Sequence, residues 1–245
     1  MIKDWLLCDF HIHTDMSDGS LSIDYIVGMY GSKGFDAIAI TDHILDRHTL
    51  KEREEKNEPI CAIKKDKFRE YLNILWKEAN RAWKEYNMIL IPGAEVTNNY
   101  ELYHILALDI KDYIDPSLSV EEIVKQIHSQ QAIAIACHPD LKRGEDKNLS
   151  WWLWQNHEKY KSLFDAWEVA NRDDLFNVIG LKKFNYIANA DFHEPRHFYS
   201  WKTLINSKKN VEAIKDAIRV NRGVAVYLFR KTNEKGILGE VKNIK

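Results

Sequence analysis

The sequence predicts an α/β fold built on a parallel, barrel-like sheet, and three observations lead to it. Apolar runs of strand length alternate with amphipathic stretches of helix length along the 245 residues. Between Leu6 and Ile40 a strand, a helix and a second strand follow one another, the βαβ unit of a parallel sheet. Strand after strand then ends in histidine or carboxylate, the edge at which α/β barrels place their chemistry.

The first strand is Leu6-Leu7-Cys8-Asp9-Phe10-His11-Ile12-His13, followed by a turn at Ser17-Asp18-Gly19. Side chains alternate along a strand, so His11 and His13 share a face and Ile12 takes the other. Ser20 or Ser22 caps a helix over residues 23–30, and Gly34 is placed to end it. Ala37–Ile40 is the second strand and stops at Thr41-Asp42-His43.

Residues 46–87 differ in character, being highly charged. Phe68, Tyr71, Leu72, Leu75, Trp76, Ala79 and Trp83 recur at helical spacing, which predicts one amphipathic helix over 66–86. Residues 46–65 read as an irregular or partly helical approach to it. The segment is expected to be a packed outer helix with a surface insertion, rather than a lid over a site.

A strand at 88–91 leads to Glu95, and Tyr103–Leu108 is another, with His104 near its start. Ser119 and Glu122 form a capping box opening a helix over 120–130. The buried strand 132–137 runs into His138-Pro139, where the proline is expected to hold His138 extended. Residues 151–160 read as helix, 164–169 as a strand ending near Glu168 and Asn171, and 174–181 as a short helix. The strand 186–190 closes on Asp191-Phe192-His193, whose two polar residues share a face. Helix Val211–Val220 and strand 223–227 follow, and the tail from Lys231 is expected to fray.

With no repeat or convincing linker, residues 1–245 are expected to form one domain containing the 46–87 insertion. A net charge of −2 argues against a strongly cationic nucleic-acid surface. Cys8, Cys61 and Cys137 form no closely spaced pair for zinc or redox chemistry. Their number and spacing, with no secretory signal and no membrane-length apolar run, point to a cytoplasmic protein.

The chemistry lies in the strand ends. His11, His13, Asp18, His43, Glu95, His104, His138, Asp191 and His193 make nine candidate ligands. One metal accepts about four to six, so two or three divalent ions sharing bridging carboxylates are expected. Without thiolates the set suits Zn, Mn or Fe.

These residues resemble a known family. Asp9-Phe10-His11-Ile12-His13-Thr14, Ser17-Asp18-Gly19, Ile40-Thr41-Asp42-His43, Gly93-Ala94-Glu95, His138-Pro139 and Asp191-Phe192-His193 are similar, in order, to the motifs of the PHP (polymerase and histidinol phosphatase) superfamily. The resemblance spans Leu6 to about Phe198 and implies a distorted (β/α)7 TIM-like barrel and a metal-dependent phosphoesterase. It would place His11, His13, Glu95 and Asp191 on one metal. Glu95, His104 and His138 would hold a second, and Asp18, His43 and His193 a third. The Ser-Asp-Gly turn is most similar to the TrpH-like branch, whereas the charged stretch before Glu95 departs from compact members.

The expected reaction is hydrolysis of a phosphate ester, in a nucleotide or other small phosphorylated metabolite, by metal-activated hydroxide. Asp191, His193 and His43 are the candidate catalytic residues, with His43 or His193 protonating the leaving oxygen. Arg143, Arg196 and His197 lie on rim loops as candidate substrate-binding residues. The alternatives are a diesterase or exonuclease on short oligonucleotides, a histidinol-phosphatase-like monoesterase, and a non-enzymatic metal-stabilised binding module. Trp151, Trp152 and Trp154 are candidate base-stacking residues for the oligonucleotide reading, with core packing the commoner use of such a cluster.

Overall fold

The computed structural model describes residues 5–139, 151–172, 174–175 and 183–231. Arg143, residues 176–181 of the expected helix and the tail beyond Lys231 lie outside them.

One mixed sheet organises the chain. Strands β1 (Leu6–Asp9), β2 (Ala37–Ile40) and β4 (Ile89–Asn98) are mutually parallel neighbours, as are β6 (Ile133–Ala136), β7 (Ala166–Asn171) and β9 (Tyr186–Asn189). Between these two sets stands β5 (Tyr103–Leu108), antiparallel to both β4 and β6. Short β3 (His43–Leu45) runs parallel to the end of β4, and β8 (Asp174–Leu175) turns back on β7. Past β1, β10 (Trp201–Ile205) and β11 (Val224–Leu228) continue the sheet antiparallel. The sheet curls like a half-barrel, and an isolated parallel bridge between Ile12 and Phe192 joins the extension of β1 to that of β9.

Strand alternation sorts side chains into two cores. Ile38 and Ile40 of β2 face one, with helices α1 (Ile23–Ser32), α3 (Phe68–Tyr86) and α4 (Val120–Ser129). Ala37 and Ala39 face the other, where Cys8, Cys137 and Ile135 meet Ile214, Ala217 and Ile218 of α7 (Val211–Val220). Cys8 and Cys137 are thus small core residues.

The 46–87 segment contains α2 (Arg47–Glu55), capped by the Asp46 side chain accepting from Thr49 N–H, and then α3. α3 packs as an outer helix, with Phe68, Tyr71, Leu72, Leu75 and Ala82 buried, while Trp83 departs from the expected stripe at 51% exposure. The Tyr71 hydroxyl donates to Gly93 O at 3.0 Å, which ties α3 to the strand carrying Glu95. The capping box of α4 is present as expected.

Several local expectations are corrected. Asp174 and Leu175 pair with Asn171 and Ala170 as a strand, because the chain reverses directly after β7. Residues 151–160 form two short helices, α5 (Trp151–Gln155) and α6 (His157–Tyr160), interrupted at Asn156. His138 is not extended: its φ is +29°, in the left-handed region, despite the following proline. Its backbone N–H donates to the buried Glu168 carboxylate at 2.7 Å, a tertiary contact that offsets the local preference. Strands β3 and β10 carry no sequence signal strong enough to foresee, since one is three residues long and the other contains a buried lysine.

Candidate metal centre

Glu95 is the hub of the site. The pairing register sets Glu95 beside His43 and Thr97 opposite His104, so β3, β4 and β5 direct these side chains to one face. Glu95 Oε2 lies 3.1 Å from His11 Nε2, 3.1 Å from His13 Nε2 and 3.3 Å from His43 Nδ1. Its Oε1 lies 2.7 Å from His104 Nδ1 and 3.1 Å from His138 Nε2.

The Ile12–Phe192 bridge brings the remaining residues in. Both of these side chains enter the core, and the polar residues flanking them meet on the other side. Asp191 Oδ1 lies 3.3 Å from His11 Nε2 and 3.6 Å from His13 Nε2. Asp18 Oδ2 approaches His43 Nε2 at 3.4 Å and His193 Nε2 at 3.3 Å. Asp191 has φ +48°, so two site residues, with His138, hold left-handed backbone.

The turn bearing Asp18 is built by its neighbours. Asp42 Oδ1 accepts from Thr14 N–H at 2.7 Å and from Ser17 O–H at 2.6 Å. A Cβ on Gly19 would run into the His13 carbonyl, so this tight return requires glycine.

All nine expected ligands therefore converge. Among the described residues His13, Asp18, His43 and His193 form one close set and His11, Glu95, His138 and Asp191 another, while His13 also lies 3.1 Å from Glu95 and 3.6 Å from Asp191, in keeping with the first set the resemblance implied. Within each set the candidate ligand atoms lie no more than 4.8 Å apart. His104 joins through Glu95 and also reaches Asn99 Oδ1 at 3.1 Å.

Divalent cations fit this arrangement on two counts. Five imidazole nitrogens within 3.3 Å of one carboxylate exceed its roughly four lone-pair positions. Both ring nitrogens of buried His13 make no hydrogen bond, although Glu95 is 3.1 Å away. Such nitrogens are expensive to bury unless something other than a hydrogen bond satisfies them. Imidazole and carboxylate together are the donor set of Zn, Mn and Fe.

Electrostatics follow from the crowding. Burial alone would raise the Glu95 pKa, but His43, His11 and His104 hold it well below the usual carboxylate range. Asp18 is likewise lowered, since His193 and His43 overcome its desolvation. Burial would lower the His11 pKa, yet Asp191, Glu168 and Glu95 raise it well above the ordinary imidazole value.

Two further residues belong to this neighbourhood. Glu168 accepts from His11 Nδ1 at 2.9 Å; the strand pattern placed it at a strand end without giving it a role. Arg172 lies 3.1 Å from Asp191 Oδ2 and 3.2 Å from His193 Nδ1, and nothing in its sequence context marks it. Arg196 pairs with Glu194, and His197 Nδ1 accepts from the His193 backbone N–H at 3.2 Å. With Arg172, Tyr199 and Ser200 they line a cleft of about 250 Å³. Trp152 and Trp154 pack instead of presenting a platform, Trp152 against Tyr103 and Tyr160 and Trp154 against His157, Trp167 and Phe184; the Trp151 side chain lies outside the described residues.

Residues 9–238 match the model of the PHP domain. The chain is similar in fold to a two-domain protein from Bacteroides vulgatus containing a predicted PHP-like metal-dependent phosphoesterase. The TM-score is 0.68 at 22% identity, covering 92% of this chain and 65% of that one. This chain thus spans less than two thirds of that protein's length. It is also similar to a protein from Bifidobacterium adolescentis provisionally described as a metal-dependent phosphoesterase, with TM-score 0.51 and 15% identity over 76% of this chain and 87% of that one. No curated protein sequence matches it. From a family match covering nearly its whole length and the metal-compatible His/Asp/Glu cluster on its strand ends, the chain belongs to the PHP domain family.

Proposed function

We propose that the protein is a metal-dependent phosphoesterase that hydrolyses a phosphate ester of a small metabolite, such as a nucleotide. The observation that carries this reading is Glu95 set among five imidazoles, with Asp191 and Asp18 beside it. Two or three Zn, Mn or Fe ions would be held by His11, Glu95, His138 and Asp191, by His13, Asp18, His43 and His193, and by His104 through Glu95. Bound there, such ions supply Lewis-acid stabilisation of phosphoryl oxygens and an acidified water.

The chain's own residues do the rest. His43 and His193, at 13% and 18% side-chain exposure, are the site imidazoles facing solvent; either gives the leaving oxygen a proton where its nitrogen holds no ion, and otherwise a water does. Asp191 anchors the neighbouring donors and is itself held by Arg172. The cleft with Arg172, Arg196 and His197 takes one phosphate- or ring-sized part of a substrate. Packing of Trp152 and Trp154 favours the small-metabolite reading over the oligonucleotide one.

The finer family features rest on the same reading. The curled sheet and its Ile12–Phe192 bridge support a single distorted (β/α)7 barrel domain, and the Ser17-Asp18-Gly19 turn supports the TrpH-like branch. Three free cysteines support a cytoplasmic setting, and no helix among the described residues is long and apolar enough to cross a membrane.

Metal content of the purified chain, followed by hydrolysis of p-nitrophenyl phosphate, its bis ester, nucleotides and short RNA, tests the proposal. Two to three metals with monoester turnover are expected. Absence of bound metal together with absence of turnover after adding Mn, Fe or Zn would overturn it.

A further inference from the structure

Glu168 is fully buried on β7 and stands outside the nine expected ligands. Its Oε1 accepts from His11 Nδ1 at 2.9 Å and from Asn189 Nδ2 at 2.8 Å. Its Oε2 accepts from the backbone N–H of His138 at 2.7 Å and from Asn171 Nδ2 at 2.8 Å. These partners come from the ends of β1, β6, β7 and β9, so one carboxylate ties together four strand ends.

Four donors fill the roughly four lone-pair positions of a carboxylate and leave none for an ion. Since an ionised carboxylate only accepts, His11 must carry a hydrogen on Nδ1. Nε2 is then the nitrogen that His11 presents to Glu95, at 3.1 Å, and to Asp191, at 3.3 Å. The same carboxylate holds the left-handed backbone of His138, whose Nε2 lies 3.1 Å from Glu95. Outer-sphere carboxylates that receive a ligand's second imidazole N–H fix both tautomer and ring orientation.

We infer that Glu168 is a positioning residue of the metal centre: it makes His11 bind through Nε2 and fixes the turn that aims His138. The inference rests on the metal-binding reading above and adds a residue that reading does not use. A carboxylate that merely glued strands together would affect stability without setting how His11 presents itself.

The test uses the full chain as wild type, Glu168→Gln and Asn171→Ala. Glutamine keeps the shape but turns one oxygen into a donor, so either His11 or His138 loses its acceptor. Asn171→Ala removes a donor to Glu168 while touching neither histidine. Zinc affinity is read by competition with a chromophoric chelator, folding by circular dichroism, and the hydrogen on each imidazole by 15N-resolved NMR of the zinc-loaded protein. Expected are a slowly exchanging Nδ1–H on His11 of the wild type and zinc binding about 10–100-fold weaker in Glu168→Gln. Asn171→Ala should bind zinc within about threefold of wild type, well short of the loss that outer-sphere ligand substitutions cause.

Wild-type zinc affinity in a folded Glu168→Gln, or a His11 Nδ1 without hydrogen, overturns the inference while leaving the proposed function standing. If Glu168→Gln does not fold, the NMR result on the wild type decides. A wild-type chain that takes up none of Zn, Mn and Fe overturns the proposed function, and this inference with it.

Discussion

Lys202 Nζ and Asp9 Oδ2 lie 3.2 Å apart inside the sheet, with both side chains fully buried. The pair joins β10 to β1 two residues before His11. Asp9 also accepts from Tyr30 O–H and from Ala190 N–H, both at 2.9 Å, and Ala190 immediately precedes Asp191. Burial raises the Asp9 pKa and lowers that of Lys202, each against the attraction of its partner. This pair therefore sets the spacing of the two chain segments that carry His11 and Asp191.

Removing one partner leaves an uncompensated buried charge. Lys202→Met is expected to cost about 3–5 kcal/mol of stability, and Asp9→Asn combined with Lys202→Met to recover most of it. Urea unfolding of the single and double variants measures the difference.

Asp191→Ala takes a carboxylate from the centre while leaving a shape the surrounding sheet can hold. Outer-sphere changes alone commonly cost 10–100-fold, so the loss of metal-dependent hydrolysis should exceed about 100-fold. Circular dichroism should stay near wild type. Unchanged turnover would remove Asp191 from the assignment.

Gly19→Ala tests the turn separately from the ligands. The added methyl collides with the His13 carbonyl, and overpacking of this kind costs about 1–3 kcal/mol. Asp18 should be displaced with the turn, lowering metal stoichiometry or affinity. Equilibrium dialysis against zinc gives the readout.

His197 supplies a pH signature. Burial and the nearby Arg172 guanidinium lower its pKa from 6.5 to about 4. Between those values the unfolded chain binds a proton that the folded chain refuses, so stability rises with pH across that window. The contribution is fully present above pH about 6.5 and lost as pH falls through about 4. NMR titration should find His197 half-protonated near pH 4, and Arg172→Gln should move that midpoint upward.

Metal and fold should be linked. A metal that binds only the folded chain stabilises it by about 2.7 kcal/mol at 100 times its Kd. That corresponds to a rise of roughly 5–10 °C in Tm for a domain of this size. Differential scanning calorimetry with zinc, and then with excess chelator, should show the rise and its reversal.

Local signals were enough to find most elements and to bring forward nine residues that converge in the structure. Ser119 with Glu122 starts α4, the Phe68–Leu75 spacing marks α3, and apolar runs stop at His43, Glu95 and His138. These features depend on neighbours a few residues apart. The errors share a cause: the distant Glu168 carboxylate captures the N–H of left-handed His138, and returning backbone draws Asp174 into a strand.

By itself the sequence determined the order of strands and helices and which residue types stand at the strand ends, since periodicity, capping and turn chemistry act over one or two turns of chain. Only the tertiary structure decided how those residues group about Glu95, that Glu168 backs His11 from 157 positions away, and that Arg172 and the Asp9–Lys202 pair belong to the same neighbourhood. Those relationships depend on strand register and on the curl of the sheet. Both are set by burying two cores at once, and no local stretch of sequence encodes that.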